Sequence, residues 1–459
     1  MKIKLSDHFT YKKIFAFVLP PVIMMVITSI YGVVDGFFIS NCVGKPEFAA
    51  INLVYPFIMI LGGTGFMIGT GGTALVSKTL GEGDEKRANE LFTMMITFCV
   101  LLGVLLTVFG IVFIRPICKI LKATDEMMGD CVLYGSIVIA FTPFFMLQSN
   151  FHSFLSAAEK PRMGLVVTII AGCTNAVLDA LFIVVFKWEL VGAALATGIG
   201  QVVGGVIPFL YFVKPNKSRL KFVKPKLEFK PILQACTNGS SELLTNVSSS
   251  IVSMLYNVQL MLFYKEDGVA AYGVLMYVQF IFVAIEIGYS IGMAPVVGYN
   301  YGAQNKPELQ NVFKKSITTM SICGIVLTGA AELLAVPLAK FFVGYDKVLF
   351  DLTVDAFRIY SFVFIFSGIN IFSSGFFTAL NNGLVSAILS FLRALVFQTL
   401  FVFLLPALFG AEGIWYASIA TESLAFITSV IFLLALKNKY EYIKTRKSAD
   451  LGKTMELND

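Results

Sequence analysis

"GEGDEKRANELF" (residues 81–92) and "GAQNKPELQNVF" (302–313) align without a gap at an offset of 221. The same offset sets Ala49 and Ala50 on Ala270 and Ala271, Gly192 on Gly413, and Ala196 on Ala417. "FLSAAEKPR" (154–162) meets "FFTALNNGL" (376–384) at 222. Agreement at several separate places predicts an internal duplication. The chain between these marks is 57% hydrophobic and only 14% charged, with a mean hydropathy of +0.80. Few water-facing surfaces are built from such a composition, so a polytopic membrane protein is expected. About 20 apolar residues make one crossing. Twelve stretches qualify: roughly 14–38, 49–76, 91–114, 131–157, 164–186, 191–213, 232–263, 268–298, 314–338, 353–380, 384–408 and 411–436.

Six crossings per half return the chain to its starting side, so the two repeats share one orientation. The expected fold is therefore an all-α polytopic membrane protein. Its twelve transmembrane helices form two six-helix bundles, related by a pseudo-two-fold axis along the membrane normal, with a cleft between them. The boundaries read as an N-terminal lobe over 1–213, a basic cytoplasmic linker over 214–231 ("VKPNKSRLKFVKPKLEFKP" spans it), a C-terminal lobe over 232–437 and a cytoplasmic tail over 438–459.

Charge gives the orientation. With the N-terminus inside, 25 of the 35 Lys and Arg lie in cytoplasmic segments and 8 on the opposite side, which fixes both termini in the cytoplasm of a multi-pass plasma-membrane protein. The net charge of +6 then reports orientation, and nucleic acid is not an expected partner. The first apolar stretch follows a basic start but is too long for a signal peptide and lacks a small-residue cleavage pattern. Seven cysteines lie scattered without a C-x-x-C pair and read as inert core residues. With His8 and His152 as the only histidines, a His-based metal site is nearly excluded; His152 reads as a packed or hydrogen-bonded residue. No P-loop or Gly-x-Ser-x-Gly elbow is present, so the chain is not expected to be an enzyme and no cofactor is implied. "GGTGFMIGTGG" (62–72) lies mid-membrane, where glycines allow close helix packing.

Several motifs in order carry a family resemblance: "VDGFFIS" (34–40) after a Pro-containing first helix, "GGTALVSKTLGEGDEKRA" (71–88), "TNAVLDALFIVVF" (174–186), "VGAALATGI" (191–199) and "GYNYGAQNKPE" (298–308). Over about residues 10–437 the chain resembles the multidrug and toxic compound extrusion (MATE) family. "IATESLAFI" (419–427) is similar to its MepA-type branch of bacterial multidrug exporters. The resemblance implies two six-helix bundles opening alternately to either side, exchanging an organic cation for inward-moving H⁺ or Na⁺. Residue by residue, it places an N-lobe cation site on Asp35, Asn175, Asp179 and Thr197. Asn175 and Asp179 share a helix face, Tyr31 stands one turn before Asp35, and Asn150 is a further candidate.

Asp35 interrupts an otherwise uncharged run beginning near Ile14. A carboxylate in hydrocarbon costs several kcal/mol, about 2.5 to 3.5 on insertion scales, unless it faces a cavity, gains partners or takes a proton. Two acids in one desolvated pocket also repel, so a single proton between Asp35 and Asp179 is expected near neutral pH. The same oxygens suit a transient Na⁺, and no structural metal is expected. At the 221 offset Tyr256 stands opposite Asp35, Val396 opposite Asn175, Leu400 opposite Asp179 and Ser418 opposite Thr197, so ion chemistry is expected in the N-lobe alone. The C-lobe supplies candidate cleft residues in Tyr256, Gln259, Gln279, Glu286 and Glu422, with Glu242 also within a helix; Glu286 and Glu422 alternatively pair with Arg393.

These acids outnumber the embedded bases, so lipophilic organic cations are the expected substrates. Pro20-Pro21 reads as a hinge in the first helix. The expectation is thus an H⁺-coupled, or alternatively Na⁺-coupled, antiporter in the lipid bilayer that works as a monomer. A flippase for a lipid-linked substrate and a membrane-embedded enzyme or receptor remain open alternatives.

Overall fold

The computed structural model describes residues 3–43, 45–121 and 123–443; the expected tail falls outside them from residue 444. Among the described residues there is no strand. The chain runs through α1 (Tyr11–Cys42), α2 (Lys45–Gly81), α3 (Glu85–Ile120), α4 (Asp125–Ala140), α5 (Thr142–Ala157), α6 (Pro161–Asp179) and α7 (Glu189–Val213). After a segment without helix come α8 (Phe229–Gly302), α9 (Lys306–Val343), α10 (Lys347–Ser361), α11 (Phe364–Ala379), α12 (Gly383–Phe391), α13 (Gln398–Phe409) and α14 (Gly413–Tyr440).

Eight apolar helices or near-continuous helical runs are long enough to cross a membrane, and two bent pairs, α4–α5 and α10–α11, each add one crossing. The 74-residue α8 holds two crossings, broken at Lys265 by a non-helical backbone. The run from α12 to α14 holds two more, divided at Gly410, whose φ is +69°. Among the described residues twelve crossings result, in two lobes of six. α8 begins at Phe229, inside the stretch 214–231 expected to be linker.

The duplication repeats at the level of single residues. Asp84 accepts the amide of Arg87 at the start of α3, and 221 positions on Asn305 accepts the amide of Glu308 at the start of α9. A short side-chain acceptor at this position satisfies an N–H that the first helical turn leaves orphaned. The bends recur as well: α4 is followed by Phe141 as its C-cap and α10 by Phe362, with angles of 53° and 48°. Pro143 opens α5 and cannot supply a backbone N–H, whereas the second bend has no proline.

The lobes are joined at the end that carries the N-terminus. Gly71 on α2 faces Gly239 on α8 so closely that a Cβ on either would collide with the opposite backbone, at the Ala235 and Met67 carbonyls. Small residues at such a crossing let backbones approach and pack. Asn381 bridges the seam, accepting from Asn238 Nδ2 at 2.7 Å and donating to the Ala74 carbonyl at 3.2 Å. The N-terminal segment straps both lobes: the Leu5 amide donates to Glu159 at 3.0 Å and the Phe9 amide to Glu308 at 2.9 Å. Leu5, Phe9, Ile14, Phe17 and Val18 are buried with C-lobe residues such as Met293 and Phe372. The start of the first repeat therefore packs into the core of the second. Glu228, just before α8, is pinned to Arg87 by bonds of 2.9 and 2.6 Å. These hold its carboxyl down at about 2, so the anchor persists across ordinary pH.

At the opposite end the lobes part. A cavity of about 600 Å³ opens between Asn52 and Pro56 of α2 and the Ser250–Leu262 face of α8.

Candidate functional site

α1 packs along α6, and α6 along α7. These three helices bring Asp35, Asn175, Asp179 and Thr197 together inside the N-lobe. Thr197 Oγ1 donates to Asp35 at 3.4 Å, and Asp35 also lies against Asp179 and Asn175. Asp179 is fully buried and Asn175 nearly so. Neither carboxylate oxygen of Asp179 receives a hydrogen-bond donor, and both amide atoms of Asn175 are also unpartnered among the described residues. An ionised, fully buried carboxylate without a donor is unstable in hydrocarbon. One proton shared with Asp35, or a small cation held by these oxygens, would remove the deficit.

Asp179 is the last residue of α6, where the helix widens into a π turn, Ala180–Val185. Such a turn inserts a residue into the helical ladder and re-aims the side chains on either side of it. In the C-lobe the π turn falls at Leu392–Phe397, nine residues before the position equivalent to Ala180. The two lobes thus differ in backbone at the stretch where they differ in chemistry.

Tyr31 packs against Gly172 of α6, within electrostatic range of Asp35. Tyr55 and Tyr134 also lie within that range; sequence reasoning missed both, although each is a polar-tipped aromatic inside an apolar run. Asn150 is not brought to the acids. Its amide donates to the Gly65 carbonyl at 3.0 Å, Cys99 Sγ at 3.0 Å and the Met146 carbonyl at 3.1 Å, which ties α5 to α2 and α3. His152 is buried against Phe66, 3.5 Å from Thr168 Oγ1.

In the C-lobe, Tyr256 contacts Ser418 at 2.8 Å and donates to Gln398 at 3.1 Å, with its ring stacked on Tyr272. The Tyr256–Ser418 contact joins the positions equivalent to Asp35 and Thr197, with no acid present. Glu422 accepts Arg393 Nε at 2.8 and 3.0 Å and Asn370 Nδ2 at 2.7 Å. Glu286 is fully buried and accepts Ser367 at 2.9 Å, without a direct bond to Arg393. Tyr256, Glu286 and Glu422 therefore sit in the C-lobe interior rather than on an open face. Gln259 and Gln279 are half-buried on α8, and Gln279 Oε1 lacks a donor.

Removing one partner of a buried ion pair strands the other, at about 3 to 5 kcal/mol. Arg393→Ala should accordingly lower the melting temperature of the purified protein by several degrees. An unchanged melt would show that Asn370 alone holds Glu422.

A model of the MatE family matches residues 20–181 and again 243–404, one copy in each half. The multidrug export protein MepA of Staphylococcus aureus is 24% identical over 434 residues, covering 94% of both chains. Among solved structures, a crystal structure of a MATE protein in the straight conformation is 20% identical, with a TM-score of 0.87 over 94% of this chain and 98% of that one. The bent conformation gives a TM-score of 0.83 at 20% identity, over 95% and 98%.

Proposed function

The chain belongs to the MatE family, and from that premise we propose that it is a cation-coupled antiporter exporting lipophilic organic cations by alternating access, with H⁺ as the driving ion. The observation that carries this reading is Asp179, fully buried against Asp35 with no donor to either carboxylate oxygen. Glu422, by contrast, is paired with both Arg393 and Asn370. In this reading Asp35 and Asp179 hold and release the proton, while Asn175 and Thr197 position them and Tyr31 lines the approach.

The state seen here has its lobes sealed at the end bearing the N-terminus. With the termini in the cytoplasm, as the Lys and Arg distribution supports, it is the outward-open state. α1 is unbroken from Tyr11 to Cys42 despite Pro20-Pro21, and the Pro21 carbonyl packs against Gly288. Proton uptake at Asp35 is proposed to bias this helix toward a bent form, with the proline pair as hinge. Pro20→Ala should slow export severalfold while leaving insertion and folding intact. Unchanged transport kinetics would remove the hinge.

Na⁺ is the second reading, favoured by the unpartnered Asn175 Oδ1, which adds a neutral oxygen to the two carboxylates. Proteoliposomes separate the two. Export of a cationic dye should follow an imposed pH gradient and ignore a Na⁺ gradient, and a matched anionic dye should not be exported. Export driven by Na⁺ alone would reverse the ion assignment; lipid scrambling without dye export would favour a flippase.

A further inference from the structure

A cavity of about 710 Å³ lies between the N-terminal segment, the start of α1 and the start of α6, at the sealed end of the protein. Its walls are of two kinds. Lys12, Lys13, Lys160 and Arg162 stand around it, while Ile3, Ala16, Phe17 and Met163 supply apolar lining. The acids nearby are already engaged. Asp7 pairs with Lys13 at 3.3 Å; Glu159 accepts the Leu5 amide at 3.0 Å and lies 3.8 Å from Arg219. Among the described residues Lys12, Lys160 and Arg162 have no acidic partner.

The cavity adjoins the membrane-facing surface. On α1, Phe15 and Leu19 are 53% and 52% exposed, and on α6 Val166 is 53% exposed. No water-filled vestibule needs such side chains; acyl chains do. A ligand with an anionic head and an apolar body would satisfy both walls at once, which a free phosphate or nucleotide would not.

We propose that this cavity binds one anionic phospholipid of the leaflet at the N-terminal end, its phosphate held by Lys12, Lys160 and Arg162 and its chains running over Ala16 and Met163. Cationic side chains beside the bilayer attract anionic headgroups, and a basic pocket between helices turns that attraction into a discrete site. Ile3 and Thr10 belong to the strap that joins the two lobes, so an occupied cavity also braces the seal.

Native mass spectrometry of the delipidated full-length protein tests the proposal, with dioleoylphosphatidylglycerol, dioleoylphosphatidylcholine and inorganic phosphate as probes. One phosphatidylglycerol should be retained at least tenfold more tightly than phosphatidylcholine, and millimolar phosphate should not displace it. The variant K12Q/K160Q/R162Q should lose that preference. K214Q/K224Q/K230Q removes as many exposed charges from the same end and should keep it. Ala16→Trp leaves every charge in place and fills the apolar part, and it should lose the bound lipid while melting like the parent. Equal affinity for the two lipids overturns the site. So does equal loss in the Lys214, Lys224 and Lys230 variant, which would mean diffuse attraction. Displacement by phosphate would mean a soluble anion instead.

Discussion

Asp35→Asn should reduce pH-driven export in proteoliposomes to the level of empty vesicles, while the variant inserts, melts like the parent and still binds a cationic dye. Asparagine copies the shape of a protonated aspartate but cannot release the proton, so it holds the site in one state. One proton exchanged for one monovalent cation moves no net charge. The pH gradient alone then drives that exchange, about 1.4 kcal/mol or tenfold in concentration per unit. Coupling requires proton and substrate to favour different states of the carrier; a residue fixed in the proton-loaded form removes the return step. Asn175→Ala should weaken the site less, because both acids remain. Full coupled export by Asp35→Asn would eliminate this site.

The parts of the structure governed by spacing along the chain were legible in the sequence. The 221-residue offset predicted two equivalent lobes, and the same offset relates the caps Asp84 and Asn305 and the bends after Phe141 and Phe362. Hydropathy reports whether a segment can enter a bilayer but not its direction once inside, so the bends themselves went unread. Thr142-Pro143 offered a cue to the first; nothing comparable marks the second. Arg393 could pair with Glu286 or Glu422 on charge alone, and packing chose Glu422, whose position on α14 faces the π turn carrying Arg393. The N-terminal strap was hidden for another reason: its partners Glu159 and Glu308 are distant in sequence, and hydrophobic pattern does not say which lobe a short segment will join.

The glycine crossing of α2 and α8 leads to the second large effect. Gly239→Val would place a branched side chain where the Met67 carbonyl now lies, and the collision is with backbone, which cannot turn aside. Relief is available only by moving the lobes apart at the sealed end. In the alternating-access cycle proposed above that separation closes the other end, so the 600 Å³ cavity there should shrink. Asn257, exposed at its rim, reports this directly. With the termini in the cytoplasm as proposed, and in an active background carrying Asn257→Cys and with the native cysteines, including the exposed Cys173, replaced by Ser, a membrane-impermeant maleimide added outside should label the parent readily and the Gly239→Val form at least tenfold more slowly, with export lost in parallel. Gly239→Ala should show the same direction at smaller size, since a single methyl meets the same oxygen. Labelling and export that both survive Gly239→Val would mean that the contact is not a seal and that the lobes do not rock about it.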